Sequence, residues 1–67
     1  MTSDFHTSFH LSEHDKEHIG EIVAGYGDWF SAELIRLIRK ADVQNRARLR
    51  TVYPEHVKAV EDWMDHR

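Results

Sequence analysis

Apolar residues along this chain recur at spacings of three and four, and Gly25, Gly27, Asp42 and the pair Tyr53-Pro54 punctuate them. That pattern predicts helices and no strand. Leu11, Ile19, Ile22, Val23 and Tyr26 fall on one arc of a first helix. Ser12 with Asp15 three positions on is a capping-box-like start, and the two glycines supply the stop. Phe30, Leu34, Ile35, Leu37, Ile38 and Ala41 cover roughly 160° of a second helix, with Asp28 placed to cap it. An arc so wide needs neighbours on more than one side, which makes this helix the central element. Trp29 falls on its opposite, charged side with Glu33, Arg36 and Lys40.

Asp42 is placed to cap a third, short helix from Val43 to about Val52, whose Val43, Ala47, Leu49 and Val52 share no single stripe. Pro54 keeps Tyr53 out of helical angles and suits the first turn of a fourth helix. There Val57, Val60, Trp63 and Met64 form a face opposite Lys58, Glu61, Asp62 and Asp65. The fold expected is all-α, a small three- or four-helix bundle over residues 11–67, behind a flexible N-terminal tail at 1–10 with Phe5 and Phe9 as anchors. Leu34, Leu37, Ile38, Val60 and Trp63 are its expected core.

A chain of 67 residues buries only roughly 60% of its unfolded surface, so its core is marginal without a staple. It contains no cysteine, which removes disulfides, thiolate metal sites and cysteine nucleophiles together and fits a reducing compartment. No stretch approaches the roughly 20 apolar residues of a membrane span, and Met1 to His10 has neither the basic start nor the apolar run of a signal peptide. A cytoplasmic protein is expected.

The net charge of −3 hides a segregation. Residues 1–35 carry seven carboxylates against Lys16 alone; residues 36–50 carry six basic side chains against Asp42; the remainder carries four acids and two bases. The basic middle either pairs with acidic faces inside the fold or offers a patch to an acidic partner.

Six histidines are the most conspicuous chemistry. His14, Glu17, His18 and Glu21 point within about 100° of one another on a helix, a spacing able to ligate a transition metal, although a solvated helix face has the same composition. His14-Asp15-Lys16-Glu17-His18 shares its outer histidines with the zinc-protease pattern but has Asp where the general-base Glu belongs, and no third ligand follows. No Ser-His-Asp set, glycine-rich phosphate loop or carboxylate pair can be assembled, and a chain this short has little room for an enzyme-sized pocket. The expectation is a non-enzyme with no cofactor.

Two binding readings remain. The second helix, the turn at Ala41-Asp42 and a third helix bearing Gln44, Asn45, Arg46, Arg48 and Arg50 have the outline of a helix-turn-helix for nucleic acid. Against it stand a sequence pI near 6.0 and the placing of Arg48 far around the wheel from Arg46 and Arg50. In the protein-binding reading, Trp29, Arg36, Arg39, Lys40, Arg46 and Arg50 form the contact surface, with an aromatic and arginines as anchors. In the competing view of Trp29, it is simply core.

At Gly27-Asp28-Trp29-Phe30, at Leu34-Ile35-Arg36-Leu37-Ile38-Arg39-Lys40-Ala41-Asp42, and again from Asn45 to Arg50 and Tyr53 to Val57, the chain resembles small helical accessory proteins of actinobacterial phages and prophages. The resemblance spans about residues 10 to 64 and carries no motif of known chemistry. It implies a setting, the host bacterial cytoplasm, and a role: binding a host or phage protein complex. The leading expectation is thus a protein-binding accessory protein, as a monomer or a homo-oligomer.

Overall fold

Ser12 starts the first helix as its sequence suggests: its hydroxyl accepts the Asp15 amide at 3.1 Å, leaving Ser12 itself extended. The computed structural model describes residues 10–66. Over them run α1 (Glu13–Glu17), α2 (Ile19–Val23), α3 (Phe30–Lys40), α4 (Val43–Val52) and α5 (Pro54–Asp65), with no strand among the described residues. The chain is all-α. The tail anchors Phe5 and Phe9 lie outside the described residues.

The first helix expected from the sequence is two short ones, and His18 is where they part. Its Nδ1 donates to the His14 carbonyl at 2.7 Å, taking the acceptor that its own backbone amide would use in an unbroken helix. That amide bonds instead to the Asp15 carbonyl at 3.1 Å, and His18 sits at φ −118°, ψ 24°. Gly25 and Gly27, at φ 122° and 91°, then reverse the chain. A side chain at position 27 would also collide with the Trp29 ring.

Asp28 does not cap α3. The N-cap is Trp29, which makes no side-chain cap bond. Asp42 does cap α4, its Oδ1 accepting the Asn45 amide at 2.8 Å. Tyr53, at φ −128° and ψ 62°, separates α4 from α5, and Pro54 occupies the first turn of α5.

The core comprises Ile19 and Ile22 of α2, Ala32, Leu34, Ile35 and Ile38 of α3, and Val57 and Val60 of α5. α3 packs against α2 and α5, as a central helix should, whereas α4 leans mainly on α5 and buries none of its residues. This lean corrects two sequence expectations. Leu37 is not core but 49% exposed, and Phe30 is 60% exposed, because α4 does not close over their flank of α3. Trp63 is only half-buried; it lies beside Gly20, where an added Cβ would come within 3.2 Å of its indole Nε1.

His10 and Leu11 are tied to the start of α5: the Leu11 amide donates to Glu55 Oε1 at 2.9 Å and His10 Nδ1 to Oε2 at 3.3 Å. No helix among the described residues is long and apolar enough to cross a membrane.

Candidate functional site

The lean of α4 opens two adjoining clefts along α3. One, of about 600 Å³, is lined by the apolar Phe30, Leu34, Leu37, Leu49 and Tyr53 together with Glu33, Arg36 and Lys40. The other, of about 490 Å³, continues past Leu37, Lys40 and Leu49 to Ala41, Asp42, Asn45 and Arg48. Leu37 and Leu49 are therefore common to both, and Lys40 and Arg48 stand on opposite banks. Neither Arg39 nor Lys40, exposed in the last turn of α3, has an ion pair or hydrogen bond among the described residues. Arg48 reaches only its neighbour Asn45, donating to Oδ1 at 3.0 Å.

The other basic residues of the sequence-derived surface are engaged within the fold. Arg36 donates to three carbonyls at the end of α2 and in the following turn: Ile22 at 2.9 Å and Tyr26 at 3.2 Å through Nη1, and Gly27 at 2.7 Å through Nη2. A cation at carbonyls that end a helix is electrostatically well placed. Arg46 donates to the Ala41 carbonyl at 3.1 Å and lies 4.0 Å from Glu61, while Arg50 bonds Glu61 directly. Pairing inside the fold and a free cationic patch thus coexist, divided among different residues.

Trp29 also faces inward in part. Its indole Nε1 donates to Asp15 Oδ1 at 3.0 Å, and Ser31 donates to Oδ2 at 2.5 Å. Asp15 is a buried carboxylate, so Trp29 belongs to a polar knot joining α1 to α3 and does not line the clefts. Around it, His14 lies 5.5 Å from the indole and Tyr26 meets it edge-on at 5.6 Å. His14 and His18 stack on each other at 4.4 Å. With His18 Nδ1 held by a backbone carbonyl, the pair is organised as aromatic packing. Among the described residues no group of three His, Cys, Asp or Glu, and so none drawn from His14, Glu17, His18 and Glu21, is placed to hold a metal ion.

Two buried polar groups escaped the sequence reading, Asp15 and His56. Both ring nitrogens of His56 lack a hydrogen-bond partner among the described residues, and Tyr53 packs edge-on against the ring at 5.6 Å. Burial pushes the His56 pKa below its ordinary 6.5, with Asp15 and Glu55 pulling the other way. The signal for both was present: Asp15 stands in step with Ile19 and Ile22, and His56 with Val60 and Trp63, each a polar residue on an apolar stripe.

Comparison finds no protein-family model, no curated protein and no solved structure that matches this chain.

Proposed function

We propose that this chain is a non-enzymatic binding protein that docks an acidic protein partner on the α3–α4 face, in the manner of small accessory proteins that phages and prophages of actinobacteria use on host or phage complexes in the bacterial cytoplasm. The observation that carries this reading is the coincidence of an unpaired cation with uncovered apolar surface: Lys40 lines the same two clefts as Leu37, which is 49% exposed. Leu37 is not alone there: with Phe30, 60% exposed, and Leu49 it lines one cleft, and contiguous exposed apolar surface of that kind marks interaction sites. Cations beside it favour a partner rich in carboxylates and disfavour a basic one.

The helix-turn-helix alternative uses the same segment, and Glu61 weighs against it. That carboxylate sits with Arg46 and Arg50, two of the arginines that would have to follow a phosphate backbone. The test is capture of partners from an actinobacterial host lysate with and without nuclease. Protein partners that persist after nuclease, and that an Arg39→Glu/Lys40→Glu double variant no longer retains, are the expected result. Capture that vanishes with nuclease gives the face to nucleic acid.

A further inference from the structure

We infer that the paired clefts between α3 and α4 take a single amphipathic helix of the partner, with its apolar stripe on Leu37 and Leu49 and its carboxylates gathered toward the end that meets Lys40 and Arg48. This rests on the protein-binding reading above and specifies the element that the surface recognises.

Shape gives the first argument. α3 has 11 residues, so the channel beside it runs roughly 16 Å, about three helical turns. Volumes of about 600 and 490 Å³ in line, sharing Leu37, Lys40 and Leu49, form an elongated trough. A trough with apolar walls accepts a row of side chains at i, i+3 or i+4, and i+7, the way helices seat in grooves. An extended strand would need an unpaired sheet edge, and none exists among the described residues.

Charge gives the second. Lys40 on α3 and Arg48 on α4 face the trough from both banks at one end, while Glu33, in the first turn of α3, lies toward the other. Asp42 is close to the cationic end, but its carboxylate accepts the Asn45 amide as the α4 cap. A helix with acids at one end is therefore attracted in one direction of entry and not the other.

The test is selection against the full-length chain from a displayed library of helical peptides about four turns long. Enriched peptides are expected to share an apolar i, i+3/i+4, i+7 stripe and to concentrate Asp and Glu at one end. Leu37→Glu, at a half-exposed position where far-UV circular dichroism should show an intact fold, should weaken a selected peptide by at least roughly tenfold. Lys40→Glu/Arg48→Glu should do the same and favour a peptide whose acids are replaced by lysine. The inference is overturned if no peptide is enriched, if enriched peptides lack either feature, or if they bind Leu37→Glu as well as wild type. It is also overturned if the chain binds phosphatidylglycerol vesicles in place of peptides through Leu37. Loss of peptide binding with lysate capture still dependent on Arg39 and Lys40 would sink the helix-in-trough geometry alone. Loss of both would sink the protein-binding reading with it.

Discussion

Asp15 and His56 show how a small core can hold polar groups on different terms. Asp15 is buried but served: the Trp29 indole and the Ser31 hydroxyl both donate to it. His56 is buried and has no such partner among the described residues, so its neutral ring forgoes hydrogen bonds that water would supply to the unfolded chain. Because burial holds the folded pKa below 6.5, the unfolded state takes up a proton first on acidification. Stability is therefore level above that value and declines as pH falls beneath it. Glu55 works in a lower window: the Leu11 amide and the His10 ring hold its pKa below 4.5, so its contribution is present above that value and disappears as pH falls through the depressed one. Thermal midpoints at about pH 7.5 and about pH 5.5 span the histidine range and stay above that of Glu55, and a His56 variant separates this ring from the other histidines. Wild type should melt lower at the acid value, and His56→Leu should lose most of that difference. An undiminished difference in the variant would assign the acid sensitivity to other groups. Both residues were readable as polar interruptions of apolar stripes; what the stripe alone could not provide was the partner on another helix that decides whether the interruption is satisfied.

Among the elements, α3 and α4 separate what periodicity conveys from what it does not. The arc of α3 correctly marks a helix with neighbours on several sides, and Leu34, Ile35 and Ile38 are buried. It includes Leu37 and Phe30 wrongly, because a wheel records which residues share a side and not whether another helix covers it. The missing cover follows from α4, whose apolar residues form no stripe and which consequently leans on α5 without burying any side chain of its own. Ile38→Ala should cost roughly 2–5 kcal/mol in denaturant unfolding, while Leu37→Ala, at a half-exposed site, should cost less than about 1 kcal/mol. Equal costs would mean that α4 closes over α3 in solution and that the clefts are shut. The caps give a second pair. Asp42→Ala removes the acceptor for the Asn45 amide and should cost about 1 kcal/mol. Asp28→Ala should be close to neutral, since Trp29 holds the cap position of α3. A loss at position 28 matching that at 42 would contradict the observed start of α3. Ser12 and Asp42 were legible as caps from the residues that follow them; Asp28 misled because the turn at Gly25 and Gly27 delays the helix by one residue.

At the scale of the whole molecule, the segregated charge of the sequence resolves into two classes of cation that do different work. Arg36 sews α3 to the end of α2, while Arg46 and Arg50 meet Glu61 on α5. Arg39, Lys40 and Arg48 contribute no ion pair to the fold among the described residues. If this division holds, stability and binding should be separable by mutation. Arg36→Ala leaves the carbonyls of Ile22, Tyr26 and Gly27 without their shared charged donor, and a loss of roughly 1–3 kcal/mol is expected at this partly buried site. Arg50→Ala breaks a more exposed pair and should cost no more than about 1 kcal/mol. Arg39→Ala and Lys40→Ala should leave the unfolding midpoint unchanged within a few tenths of a kcal/mol, as surface substitutions without partners do. Captured partner should follow the opposite order, falling with Arg39→Ala/Lys40→Ala and surviving Arg50→Ala. The measurement that decides is the two profiles side by side on the same purified variants, denaturant unfolding against partner retention at about 150 mM salt, where exposed charges are already screened beyond roughly 8 Å. If Arg39 and Lys40 prove as costly to stability as Arg36, they are structural cations after all. The α3–α4 face would then keep Arg48 alone as a cation without an ion pair, too little charge to carry its assignment as a docking surface.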